Sequence, residues 1–233
     1  MNALDVIIPV YNEGDNAVRT LRSLEAHVKT PFAVAICHDD VDDGTLAVLS
    51  PLKFDFPVRF VQNGVRRGPH GAVLSGFRQT SARAVLVWPA DDDYNAPIID
   101  SMVDAISEGA DIVCASRFMR GGTMQGCPWL KSIMVRTAAF VLHRFARLPT
   151  HDATNGLRMF SRALLDEVPI ESTEGFTYSI ELLVKAHRMG KRIVEVPASW
   201  FERKEGKSRF RPLRWSGPYL RWVQYAFVTR FFC

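Results

Sequence analysis

Five short apolar runs alternate with helical stretches through the first half of the chain, and nothing else in the sequence narrows the fold so far. The runs are Val6 to Val10, Phe32 to His38, Val58 to Gln62, Ala84 to Trp88 and Asp111 to Ser116. Each has strand length and an almost continuous apolar character, as expected of strands covered on both faces. Helical spacing fills the intervals near Asp15 to Val28, Asp43 to Leu49, His70 to Ala82 and Pro97 to Glu108. Such alternation predicts an α/β chain with a mostly parallel central sheet flanked by helices. Sheets of this kind bind ligands outside the carboxyl ends of their strands, so the loops after these runs are where chemistry is expected.

The loop after the fourth run is the most charged: Val87-Trp88-Pro89-Ala90 leads straight into Asp91-Asp92-Asp93. Alternate residues of an extended segment point the same way. Asp91 and Asp93 are therefore candidate ligands for one Mg²⁺ or Mn²⁺, with Asp92 facing elsewhere, since hard cations take carboxylate oxygens. A solvated acidic turn, or a helix cap ahead of Pro97, explains the same residues without a metal.

At 233 residues and 47% apolar content the chain has material for one sizeable core. Cys37, Cys114, Cys127 and Cys233 show neither metal-ligand nor paired spacing, and the first two fall in strand-like runs as core thiols. Residues 1–10 read as a first strand rather than a secretory leader, so a cytoplasmic location is expected. Net charge is only +4, but from Trp200 onward eight Lys or Arg face two acids. A basic region of this kind suits phosphate-bearing molecules or an anionic membrane; nucleic acid is not expected, since no recognised binding motif accompanies it.

Beyond Arg117 the pattern changes. A loop with Gly121, Gly122 and Gly126 precedes a long helix from about Trp129 to Arg147. A polar turn at His151 to Gly156, a helix around Tyr178 to Met189 and a strand pair near Ile193 to Glu202 follow.

Several motifs in order make a family resemblance specific. They are Pro9-Val10-Tyr11-Asn12-Glu13, His38-Asp39-Asp40 through Thr45, Asp91-Asp92-Asp93, Ser116-Arg117-Phe118, His151-Asp152 through Arg158, Glu174-Gly175-Phe176 with Ile180-Glu181, and Arg203-Lys204-Glu205-Gly206-Lys207-Ser208. Together they resemble the family 2 glycosyltransferases of GT-A fold, and within them dolichol-phosphate mannosyltransferase and its bacterial polyprenyl-phosphate relatives. The likeness runs from about residue 4 to 210. It implies a catalytic domain over 1–210, with about 1–116 binding the nucleotide sugar and 117–210 the acceptor, followed by a basic amphipathic tail over 211–233.

The resemblance implies a metal-dependent enzyme moving a hexose, mannose or glucose in type, from a GDP- or UDP-sugar to a dolichyl or undecaprenyl phosphate. Asp91 and Asp93 would hold Mg²⁺ or Mn²⁺. Pro9, Tyr11, Glu13, Asp39, Asp40, Asp91, Asp92, Arg203 and Lys207 would meet the nucleotide sugar. Arg117, Lys131, Arg136 and Ser208 would meet the acceptor phosphate, and Asp152 with Arg117 would lie nearest the reacting centre. The chain departs from the family at Pro89, His38, Asp40 and Val135. Glu13 also suits a helix cap, and Asp152 a structural pair with Arg158.

A helix from Pro218 to Phe231 gathers Tyr219, Leu220, Trp222, Val223, Ala226, Phe227 and Phe231 on one arc, the pattern of an interfacial helix. Arginines interrupt it too often for a span of about 20 apolar residues. Peripheral attachment at the cytoplasmic membrane face, with a membrane-protein partner as a further option, is the expectation. The helix from Trp129 is a second candidate contact, and ordinary core packing is the alternative for both. The rival functions are a family 2 transferase with a saccharide or protein acceptor, and a degenerate transferase that binds without catalysing.

Overall fold

The structure, a computed structural model, describes residues 3–202 and 212–229. Strand β1 (Leu4–Pro9), helix α1 (Gly14–His27), β2 (Phe32–His38), α2 (Gly44–Leu49), β3 (Val58–Gln62), α3 (Pro69–Gln79) and β4 (Ala84–Val87) follow one another in strict alternation. A 3₁₀ turn over Ala96–Ile98 leads into α4 (Ile99–Ser107), and β5 (Ile112–Ser116) closes the first half. The expected strands and helices of this half are all present, with bounds shifted by a few residues.

The second half holds β6 (Thr123–Gln125), α5 (Trp129–Arg144), β7 (Arg158–Ser161), α6 (Arg162–Glu167), α7 (Thr177–Arg188), β8 (Ile193–Pro197), β9 (Ser199–Phe201) and α8 (Pro212–Val228). Seven strands form one sheet in the order β3-β2-β1-β4-β7-β5-β8. The β1, β2, β3 and β4 pairings are parallel, as is β5 with β8, whereas β7 runs antiparallel to both of its neighbours. Strand β7 is an addition to the expected elements. The two strands expected near Ile193 to Glu202 are present but do not pair with each other: β8 joins the large sheet while β9 pairs with β6 in a separate ribbon.

Strand periodicity divides the core into two layers. Leu4, Val6 and Ile8 face one side, with Leu21 and Leu24 of α1 and Ile99 and Met102 of α4. Ile7, Cys37, Val85 and Val87 face the other, with Val73 and Phe77 of α3 and Tyr178 and Leu182 of α7. Gly76 lets α3 lie close on β1, because a Cβ there would stand 2.7 Å from Ile7 Cγ2. Cys37 and Cys114 are buried thiols without disulfide partners, and burial pushes Cys37 up to about 12.

Helix α8 begins earlier than expected and faces inward. Trp222 and Ala226 are buried, and Tyr219, Val223 and Phe227 pack against the layer that contains α7. The arc assigned to a membrane is therefore largely spent on the protein's own core. Helix α5 does the opposite: only Ala139 and Leu142 of it are buried, and Trp129, Leu130, Ile133, Met134 and Phe140 are each more than half exposed. Among the described residues no helix is long and apolar enough to cross a membrane.

Candidate active site

The loops after β1 and β2 are clasped together before they offer anything to a ligand. The backbone N–H of Asn12 donates to both carboxylate oxygens of Asp43 at 3.1 Å, and Asn12 Oδ1 accepts from the N–H of Gly44 at 2.9 Å. The Glu13 N–H donates to Thr45 Oγ1 at 2.9 Å. Asn12 and Gly14 both have positive φ, +53° and +31°, and this sharp exit frees Tyr11 to stand half exposed. Tyr11, Asn12, Asp40, Asp42 and Gln62 line a cavity of about 310 Å³ at the carboxyl edge of β1, β2 and β3.

Asp39, expected at the base, is turned away from that cavity. Its carboxylate accepts from Asn63 Nδ2 at 2.7 Å and from the N–H of Gly68, just before α3, at 2.8 Å. Asp40 pairs with Arg67. Glu13 accepts from Asn16 Nδ2 at 3.0 Å within the first turn of α1.

The three aspartates after β4 differ in exposure, the middle one facing inward, and a turn over Ala90 and Asp91 rather than an extended strand sets them. Asp92 is buried, with Oδ1 accepting from the N–H groups of Tyr94 and Asn95 at 3.3 and 3.0 Å. Its Oδ2 accepts from Asn95 Nδ2 at 2.6 Å. Burial raises Asp92 to about 6 despite these bonds. Asp93 is exposed and stands 3.5 Å from Arg19, a solvated pair that holds it only weakly. Asp91 is partly exposed. Helix α1 fixes the backbone beneath them: Thr20 Oγ1 donates to the carbonyl of Ala90 at 2.9 Å and Ser23 Oγ to that of Asp93 at 2.6 Å.

Among the described residues no cluster of three or more His, Cys, Asp or Glu is placed to hold a metal alone. Asp91 and Asp93 nonetheless fit a divalent ion in kind, because Mg²⁺-type sites commonly use one or two carboxylates and complete the shell with water and substrate phosphate.

Across the sheet edge, Arg117 grips Asp152. Its Nε and Nη2 donate to Asp152 Oδ2 and Oδ1 at 2.6 and 2.8 Å, and its backbone N–H donates to Oδ2 at 3.1 Å. Asp152 is fully buried and Arg117 nearly so. Nη2 also reaches Thr154 Oγ1 at 2.9 Å. The alternative pair of Asp152 with Arg158 does not form: Arg158 lies inside the core on β7 and donates to the Ser179 carbonyl and hydroxyl and to the Ala153 carbonyl. Glu195 of β8, missed in the sequence, braces this turn by accepting from Thr150 Oγ1, the His151 N–H and the His151 ring at 2.6 to 2.7 Å. Thr150 Oγ1 in turn accepts from the N–H of Asp152 at 3.1 Å. A lone charge between Val194 and Val196 was the available signal.

The guanidinium carbons of Arg117 and Arg136 lie 5.1 and 4.9 Å from the centroid of the Phe118 ring. Lys131 pairs with Glu202 at 3.3 Å and stands 4.8 Å from the Trp200 ring. Arg117 and Arg136 thus share one ring, and Lys131 and Arg136 lie on the same helix, α5. Arg203, Lys207 and Ser208 lie outside the described residues.

A mostly parallel sheet flanked by helices, with an aspartate loop after β4, is the fold of the GT-A class of nucleotide-sugar transferases. The chain belongs to the family of glycosyl transferase family 2, whose model matches residues 5–169. Its relatives include polyprenol monophosphomannose synthase from Mycolicibacterium smegmatis, 30% identical over 88% of this chain and 79% of that protein. Dolichol-phosphate mannosyltransferase from Pyrococcus furiosus is 26% identical over 97% and 68% of the respective lengths. Undecaprenyl-phosphate mannosyltransferase from Micrococcus luteus is 29% identical over 87% and 85%. Glucosyl-3-phosphoglycerate synthase from Mycobacterium tuberculosis, solved with Mn²⁺, UDP and glucosyl-3-phosphoglycerate, shares the fold with a TM-score of 0.69, 20% identity and coverage of 98% of this chain and 80% of that one.

Proposed function

We propose that this transferase moves a hexose from a nucleoside diphosphate sugar to a polyprenyl phosphate at the cytoplasmic membrane face. The observation that carries the reading is the arrangement of one sheet edge, with Asp91 and Asp93 on a loop after β4 and the Arg117–Asp152 pair on loops after β5 and before β7. The relatives named for polyprenol, dolichol and undecaprenyl phosphate chemistry support the acceptor class.

The nucleobase and ribose take the cavity walled by Tyr11, Asp40 and Gln62. Asp91 and Asp93 would hold Mg²⁺ or Mn²⁺, which would neutralise charge on the departing diphosphate. Arg117, Lys131 and Arg136 orient the acceptor phosphate, whose second ionisation near pH ~6 leaves its oxygen nucleophilic without a strong base. That oxygen forms the new bond to the anomeric carbon as the bond from that carbon to the diphosphate oxygen breaks. The nucleoside diphosphate leaves with the electron pair, and attack from the opposite side inverts the centre. Asp152 holds the Arg117 guanidinium in register, and residues 117–210 form the acceptor half.

The exposed apolar stripe of α5, with Arg136 and Arg144 beside it, meets the lipid surface and delivers the polyprenyl chain. The exposure of these side chains supports α5 as the chief membrane attachment. The test is a panel of GDP- and UDP-hexoses with undecaprenyl or dolichyl phosphate and Mn²⁺ or Mg²⁺, run beside Asp91→Ala. Transfer to the lipid phosphate that falls in the variant supports the reading. Transfer unaffected by the substitution, or transfer only to free sugar hydroxyls, overturns it.

A further inference from the structure

Asn95 is buried, and its carboxamide makes three side-chain hydrogen bonds. Nδ2 donates to Asp92 Oδ2 at 2.6 Å and to the carbonyl of Ser199 at 2.9 Å, while Oδ1 accepts from the N–H of Ser199 at 2.9 Å. Both backbone groups of one β9 residue are thus answered by a single side chain, as a neighbouring strand would answer them. A second contact joins the same segments: the Tyr94 ring meets the Phe201 ring edge-on at 4.7 Å. Between Ser199 and Phe201, on the same strand, lies Trp200, against which Lys131 is set.

We propose that Asn95 is a positioning residue that locks the aspartate loop to strand β9, so that the strand holds Asp91 and Asp93 in the place where they meet the donor. The proposal rests on the reading of those two carboxylates as the place of the donor diphosphate. It also gives the inward Asp92 a task. Asp92 is the buttress between the turn and Asn95, holding the backbone from which its two neighbours project. An amide is the group that fits, since it supplies one donor to Asp92, one to a carbonyl and an acceptor for an N–H. A carboxylate in its place would face Asp92 with like charge and offer no donor.

The experiment compares Asn95→Ser, Asn95→Asp and Phe201→Ala with the wild type, in steady-state transfer with donor and acceptor varied in turn. Asp5→Asn serves as a purely structural control: it weakens the support of the Ser81 and Ala82 N–H groups at the opposite end of the sheet. Loss of the amide bonds should raise donor KM about tenfold while acceptor KM stays within about twofold. Phe201→Ala, whose side chain is 41% exposed so that folding is not at stake, should raise donor KM about threefold. Asp5→Asn should lower the melting temperature without moving either KM. Calorimetry with UDP or GDP and Mn²⁺ reads the donor side independently of turnover, with Asp91→Ala alongside. Unchanged nucleotide binding in the Asn95 and Phe201 variants, with binding lost in Asp91→Ala, overturns the proposal and leaves the site reading standing. Binding retained by Asp91→Ala removes the site reading itself. Equal rises in both KM values, or the same shift in Asp5→Asn, reduce Asn95 to a brace and also overturn it.

Discussion

Arg117 meets both carboxylate oxygens of Asp152 with the Nε–Nη2 edge of its guanidinium and adds its own backbone N–H to the grip. Breaking a buried pair from one side leaves an uncompensated charge, at a cost of ~3–5 kcal/mol. Asp152→Ala should therefore lose stability of that order in urea unfolding and lose transfer about a hundredfold or more. A variant with less than about 1 kcal/mol of destabilisation and full turnover would show that the pair is ornamental.

The inward and outward aspartates should separate under mutation. Asp91→Ala and Asp93→Ala are expected to cut metal-dependent transfer by about 10²–10³, whereas Asp92→Asn should stay within about tenfold of wild type because it keeps the shape of the turn. Chelation of divalent cations should abolish transfer, and added Mn²⁺ or Mg²⁺ should restore it. Initial rates across the three variants decide the matter; equal losses would dismiss the division of labour.

The two amphipathic helices differ: α8 packs inward, while α5, the second candidate membrane contact, keeps its large apolar side chains exposed. Replacing Leu130, Met134 and Phe140 together by Ser should reduce co-sedimentation with anionic vesicles and leave the melting temperature nearly unchanged, because these side chains are more than half exposed. Trp222→Ala on α8 should instead cost ~3–5 kcal/mol of stability by emptying a buried site. Vesicle binding that survives the triple change and falls with Trp222→Ala would reverse the assignment.

Acid sensitivity should come in part from two histidines. Desolvation by burial lowers His70, and desolvation followed by the charge of Arg188 lowers His187. Below the ordinary histidine value of 6.5 the unfolded chain takes up protons that the folded one resists. Their contribution is thus complete above that pH and is lost as pH falls toward the lowered folded-state values. Melting temperatures recorded from pH 7.5 down to 5 should drop less in His70→Gln, which cannot be protonated, than in the wild type. Parallel curves would remove His70 from the account.

The first half was legible because β1, β2, β4 and β5 are buried on both faces and its loops end in residues with few other uses, such as the aspartate trio. Burial left β4 wholly apolar, β2 apolar up to its last residue His38, and β1 apolar apart from Asp5. Strand β7 was illegible for the opposite reason. It is four residues long and begins with Arg158, a charge that the core accommodates through the bonds of its two Nη groups to Ser179 and Ala153. Helical periodicity found the amphipathic arc of α8, but periodicity states that an arc is apolar without stating what it meets, and α7 is what it meets. Asn95 gave no signal because the partner that defines it is 104 residues away.

Strand β7 has a consequence for anyone who would graft a new acceptor range onto this scaffold. It hydrogen-bonds to β4 on one side and β5 on the other, so a strand from the later sequence is stitched between two from the earlier. A chimera joined at residue 116 would import β7 from a foreign parent and ask it to match two native edges at once. Junctions that carry residues 84–161 as one block keep that seam intact, and they are the crossover points at which hybrid enzymes of this architecture should express and fold.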